Sequence, residues 1–159
     1  MTVEHEKAFE REVWGGKVGN LPSGLVPTRQ VLDGRTIILE PLDPAVHGAA
    51  LYQASHGSEE ALKAWEYMPW EPYPSEEGFL EWLRQCAANV DWIWYACRPR
   101  ESGAAQGVAT YMNMSPTLGV NEIGACFLPE MQRTRAATEA VFLMLDYAMT
   151  ELRYLSLIH

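Results

Sequence analysis

No stretch of this 159-residue chain comes near the ~18 consecutive apolar residues that a membrane-crossing helix needs. Its start, Met1-Thr2-Val3-Glu4-His5-Glu6-Lys7, is charged and no apolar run follows, so a secretory leader is not expected. Cysteine is scarce: Cys86, Cys97 and Cys126 are odd in number, far apart and set among apolar residues. That pattern argues against a disulfide framework or a cysteine metal site and suits small buried hydrophobes in a reducing compartment. Basic residues are few, 12 Lys and Arg against 21 Asp and Glu for a net charge of −9, which speaks against nucleic-acid binding. His47 and His56 lack a partner at metal-ligand spacing, so no metal is expected. A Gly-x-Ser-x-Gly elbow and a Gly-x4-Gly-Lys-Ser/Thr phosphate loop are both missing, as are repeats and low-complexity segments. The expectation is a cytoplasmic domain without membrane, metal or nucleic acid.

What is present is an ordinary globular composition, 48% hydrophobic and 21% charged, at a length that buries a real core as one domain. Residues 1–30 carry Gly15-Gly16, Gly19-Asn20, Pro22-Ser23-Gly24 and Pro27 with little periodicity, which suits an extended arm with a frayed start. Residues 31–159 form the domain proper. Thr36 to Leu42 reads as a strand, and Asp43-Pro44 opens a helix to about Ala54, Asp43 capping and Pro44 in first position. Short helical pieces rich in aromatics (Trp65, Tyr67, Trp70, Tyr73) run to Pro74. Ser75 caps the next helix, whose apolar face is Phe79, Trp82, Leu83 and Cys86, with Asn89 at its end. Asp91–Arg98, Gln106–Met114 and Val120–Leu128 then read as an antiparallel meander. A helix from about Arg135 to Leu152 follows, with Ala137, Val141, Met144, Leu145, Ala148 and Leu152 as its stripe, and then a strand, Tyr154–Ile158. This order predicts an α+β layered fold, a mainly antiparallel sheet flanked by helices.

The most informative stretch is Gln132-Arg133-Thr134-Arg135-Ala136-Ala137-Thr138-Glu139-Ala140, between an apolar strand closed by Pro129 and an amphipathic helix. The first N–H groups of a helix lack internal partners and lie at the positive end of its dipole. A basic turn of small residues there makes an anion site, and Arg133 and Arg135 add charge-assisted donors.

At these residues the chain resembles the GNAT acetyltransferases, whose pyrophosphate loop reads Gln/Arg-x-x-Gly-x-Gly/Ala ahead of a helix. The likeness is closest to the RimJ/RimL-type branch, which acetylates protein N-termini or small amines. Gly34-Arg35-Thr36-Ile37-Ile38-Leu39-Glu40-Pro41-Leu42 looks like the family's opening strand, and Gln106-Gly107-Val108-Ala109-Thr110-Tyr111 like its central strand. The resemblance covers roughly residues 25 to 155. Where the family pattern has its first Gly, this chain has Arg135, which bears on the loop's requirement for a positive φ.

The resemblance implies an acetyl-CoA-dependent N-acetyltransferase that moves an acetyl group directly to an amine, with a peptide N-terminus or small amine as acceptor. Phe127 and Leu128 would pair with the pantetheine amides, and Gln132, Arg133, Thr134, Arg135, Ala136 and Ala137 would hold the pyrophosphate. Glu122 stands where the family often keeps a catalytic carboxylate, although an acid at a strand entrance is commonly just solvent-facing. Trp65, Tyr67, Trp70 and Tyr111 are the candidate acceptor contacts, with packing as the competing role for each. The family's last helix and strands, with their Asn…Gly-Phe region and a thiolate acid, have no counterpart before His159. The expectation is therefore a GNAT-like sheet incomplete at its C-terminal side, self-associating through an uncovered last strand. The alternative function is a non-catalytic fragment or pseudoenzyme that retains at most CoA binding.

Overall fold

The computed structural model describes residues 25–158. The frayed start and the glycine-rich turns expected before Leu25 lie outside these residues. Among the described residues the sheet has six strands in the order β1 (Leu32–Asp33), β2 (Ile37–Pro41), β3 (Ile93–Pro99), β4 (Gly107–Ser115), β5 (Val120–Phe127) and β6 (Ser156–Ile158). Neighbours are antiparallel except β5 and β6, which run parallel. The helices are α1 (Pro44–His56), α2 (Glu59–Lys63), α3 (Glu76–Ala88) and α4 (Arg135–Asp146).

The caps sit where the sequence puts them. The Asp43 carboxylate accepts from the Ala45 N–H (2.9 Å) with Pro44 following, and the Ser75 hydroxyl accepts from the Gly78 N–H (3.2 Å). Each closes a donor that the first helical turn leaves open.

Alternation divides the strands between two cores. Ile37, Leu39, Ile93, Tyr95, Cys97, Ala109, Tyr111 and Ile123 face α4, against Ala140, Met144, Tyr147 and Ala148. Trp94 and Ala96 face the other way with Leu51, Trp65, Phe79, Leu83 and Cys86. The cysteines behave as buried hydrophobes. Cys86 and Cys97 are buried, and burial lifts the thiol pKa of all three, that of Cys86 up to about 12.

Two differences from the sequence reading are physical. The two-residue strand β1, which pairs Leu32 with Leu39 and Asp33 with Ile38, is too short to carry a period-2 signal. The last helix does not run uniformly to Leu152: it passes at Tyr147–Glu151 into a π turn closed by the Leu152 N–H on the Tyr147 carbonyl. The wider turn lets Tyr147, Ala148 and Leu152 all reach the core, while Val141 and Leu145 are only half-buried. The final strand is shorter than the sequence suggests, because Tyr154 is buried and donates its hydroxyl to the Leu25 carbonyl (2.9 Å).

Candidate active site

The loop from β5 to α4 is built by its own hydrogen bonds. The Met131 N–H reaches the Leu128 carbonyl (2.9 Å), and the Gln132 N–H reaches those of Leu128 and Pro129. The Gln132 side chain donates to the Phe127 carbonyl (2.8 Å). Thr134 caps α4: its hydroxyl donates to the Met131 carbonyl (2.7 Å) and accepts from the Ala137 N–H (3.2 Å). Between Gln132 and Ala137, no acceptor lies on the N–H groups of Arg133, Thr134, Arg135 and Ala136 among the described residues. Four consecutive donors at a helix start form an anion cradle. Ala136 and Ala137 turn their methyl groups into the α4 core, at 8% exposure each, which keeps side chains out of the cradle.

The positive φ of this turn falls at Arg133 (φ 61°), not at Arg135, which is already the first helical residue. The left-handed conformation expected at the family's first Gly is thus carried two residues earlier by an arginine, at a cost of about 1–2 kcal/mol. Arg133 and Arg135 are exposed and, among the described residues, carry no ion pair.

Beyond Glu122, β5 has no strand on its β6 side among the described residues, since the pairing covers Val120–Ser156, Asn121–Leu157 and Glu122–Ile158. The Leu128 N–H donates to the Gln106 carbonyl (3.0 Å) on the β4 side. By alternation the backbone groups of Cys126, Gly124 and Glu122 also turn to β4, while those of Phe127, Ala125 and Ile123 turn to the β6 side, where β6 takes the Ile123 N–H and the groups beyond it are open. Leu128 therefore has its N–H engaged by the Gln106 carbonyl and its carbonyl engaged within the loop, and Phe127 keeps an open N–H. Roughly 17 Å of strand separates Phe127 from Glu122.

At that other end, a bulge between Met112 and Ser115 breaks the β4–β5 register, with Asn113 in the left-handed region (φ 48°). Bulges re-aim side chains, and here the Asn113 amide donates to the Glu122 carboxylate (2.7 Å). Glu122 lies half-buried on the α1/α3 side of the sheet. Its partner Asn113 also lines a groove of about 330 Å³, together with Val26, Asp91, Trp92 and Met114.

The four aromatic candidates do not share one cleft. Tyr111 is fully buried on the α4 side, opposite to Glu122, and its hydroxyl donates to the Met144 carbonyl. Trp65 is core, its indole N–H on the Ser55 carbonyl (3.0 Å). Tyr67 is 89% exposed, and Trp70 rests against Trp82 with ring centroids 5.6 Å apart. Asn113 was not singled out from the sequence, yet Met112 opposite Glu122 in a read hairpin is a signal that could have found it. In the sequence Arg35 reads only as part of a strand; the structure brings it to the start of α4, where grooves of about 700 and 590 Å³ both touch Arg35, Thr36, Thr134 and Arg135. Only the tertiary fold reveals that.

Among the described residues no group of His, Cys, Asp and Glu could hold a metal ion, and no helix is long and apolar enough to cross a membrane.

Known proteins with this arrangement make its class plain. The profile of the family described as acetyltransferase (GNAT) domain matches residues 36–159. Among solved structures, a GCN5-related N-acetyltransferase from Brucella melitensis is 33% identical with a TM-score of 0.77, over 80% of this chain and 58% of its own. A probable acetyltransferase of the GNAT family from Chromobacterium violaceum is 36% identical with a TM-score of 0.74, over 87% of this chain and 68% of its own. A Vibrio cholerae protein named provisionally as a ribosomal-protein-serine acetyltransferase shares the fold at 14% identity, TM-score 0.67, over 80% of this chain and 71% of its own. The chain thus spans less than two thirds of the length of the Brucella structure. No curated protein matches it. With the profile spanning most of its length, and the sheet, helices and loop in the matching order, this chain belongs to the GNAT acetyltransferase family.

Proposed function

We propose that this chain is an acetyl-CoA-dependent N-acetyltransferase of the RimJ/RimL-like branch, passing an acetyl group directly to an amine, either a protein N-terminus or a small amine. The observation that carries this reading is the run of four open N–H groups from Arg133 to Ala136, set at the end of a half-open strand edge. Such a run is an orphaned donor set that fits a pyrophosphate. The open N–H of Phe127, the N–H and carbonyl of Ala125 and the carbonyl of Ile123 suit the two amides of a pantetheine arm laid alongside as an added strand. The stretch from Phe127 to Glu122 matches an extended arm in span.

When bound, acetyl-CoA supplies the acyl thioester. Arg133 and Arg135 neutralise its phosphates, and Gln132 and Thr134 hold the turn in the conformation that presents the N–H groups. Glu122 takes the proton from the acceptor ammonium, which must become a free amine before it can attack a carbonyl. Asn113 fixes the Glu122 carboxylate through one of its oxygens and leaves the other free. The groove beside Asn113, with Trp92 and Asp91 on its wall, is where a cationic acceptor would approach.

The test is calorimetric titration of the full chain with acetyl-CoA, followed by release of free CoA thiol on adding peptides with free N-termini or simple primary amines. Saturable binding with amine-dependent thiol release supports the reading. Binding without release on any amine would leave a coenzyme-binding protein rather than an enzyme, and absence of binding would reject the site itself.

A further inference from the structure

The turn between β1 and β2 is fastened to α4 by one side chain. The Glu139 carboxylate accepts the backbone N–H groups of Arg35 (2.8 Å) and Thr36 (2.6 Å) and the Thr36 hydroxyl. These donors, the Thr36 hydroxyl foremost, hold its pKa below the usual carboxylate value. Gly34 permits the close approach. A Cβ there would lie 2.9 Å from Glu139 Cδ, the Ile37 carbonyl oxygen and Leu143 Cδ1. The backbone of Arg35 is therefore fixed while its side chain stays exposed and, among the described residues, without an ion pair. Arg100 on the same rim differs, because its guanidinium is tied to Asp33.

Arg35 looks across the 590 Å³ groove at one stripe of α4, Arg135, Thr138 and Phe142, which recur at i, i+3 and i+7. Phe142 is 59% exposed, an uncovered aromatic face beside cations. The acid in this groove, Glu139, has both oxygens turned to the β1–β2 turn, so it does not oppose an anion there. A guanidinium fork suits a phosphate monoester, and an exposed ring suits the face of a purine.

We infer that this groove seats the adenosine 3′-phosphate end of the coenzyme, with Arg35 on the phosphomonoester and Phe142 beneath the purine. The inference rests on the proposed function and goes beyond it. The loop N–H groups serve the pyrophosphate, whereas Arg35 comes from a separate turn and meets the same groove from the wall opposite α4. Glu139 is the positioning residue that sets Arg35 in place.

Calorimetry on the full chain with CoA, 3′-dephospho-CoA and 4′-phosphopantetheine separates the parts. The unmodified protein should bind CoA about 10-fold or more tighter than 3′-dephospho-CoA, the range for a hydrogen bond to a charged group. Arg35→Ala should bring CoA down to the dephospho level and leave the other two probes within about 2-fold, while Arg35→Lys should recover part of the difference. Phe142→Ala should weaken CoA and 3′-dephospho-CoA alike, by about 5-fold or more, and leave 4′-phosphopantetheine unchanged. Equal weakening of all three probes by Arg35→Ala, or of none, would overturn the inference, since a merely structural arginine cannot sense the 3′-phosphate. Equal affinity of the unmodified protein for CoA and 3′-dephospho-CoA would overturn it while sparing the proposed function. Failure to bind any of the three probes would overturn both.

Discussion

The two ends of β5 are built on opposite plans. At Phe127 the strand runs into a loop that spends its side chains on itself, Gln132 on the Phe127 carbonyl and Thr134 on Met131 and Ala137, and so leaves backbone donors open beside two arginines that carry no ion pair among the described residues. At Glu122 the strand is paired on both sides, and a single side chain is aimed by a single amide, Asn113. One end offers many weak, convergent donors and the other one carboxylate on a bulge. The first arrangement suits holding a polyanion; the second suits moving one proton. Damage to them should therefore appear in different quantities.

The largest effect is expected at the carboxylate. Glu122→Gln should lower kcat/KM for the acceptor by roughly 10²–10⁴-fold, the usual worth of a general base, with the affinity for acetyl-CoA unchanged by calorimetry. A variant that keeps its turnover would assign Glu122 to the solvent-facing role common for acids at strand entrances. At the loop end, Arg133→Ala combined with Arg135→Ala should weaken acetyl-CoA binding by about 1–3 kcal/mol and leave turnover at saturating coenzyme near its original value. A fall in turnover with unchanged affinity would reverse the assignment of the two ends.

The division also shows what the sequence could carry. The loop and its helix were legible because a cap, a basic turn and an apolar stripe are local, and Thr134, Arg135 and Ala137 sit where local rules put them. The meander and the caps at Asp43 and Ser75 were legible for the same reason. The αL position at Arg133 was not, since its conformation is imposed by the hydrogen bonds of Gln132 and Thr134 around it. The roles of Trp65 and Tyr111 could not be read either: an aromatic in a strand or short helix looks the same whether it lines a cleft or closes a core. Burial on opposite sides of the sheet decided that. Arg35 reaches the site by way of Glu139, a contact across most of the chain that no spacing rule anticipates.

A smaller effect lies away from both ends. Glu40 on β2 is held bidentately by Arg98 (2.9 and 2.8 Å) and reached by His47 (3.1 Å). The Arg98 guanidinium lowers its carboxyl to about 2 from 4.5. A depressed folded-state pKa contributes stability that is present above the unfolded value and lost as protons are taken up. Thermal stability should therefore decline as the pH falls from about 4.5 toward about 2, and Arg98→Met should flatten that dependence while leaving acetyl-CoA affinity untouched. An unchanged acid limb in the variant would remove the ion pair from the account of acid stability.

The most direct test of the central claim is the backbone amide spectrum of the ¹⁵N-labelled chain during titration with acetyl-CoA. The amides of Arg133, Thr134, Arg135 and Ala136 should move furthest and gain protection from hydrogen exchange, while those of Gln132 and Ala137, already bonded within the loop, should move less. Saturation with these four amides unmoved, and the large shifts elsewhere, would contradict the account.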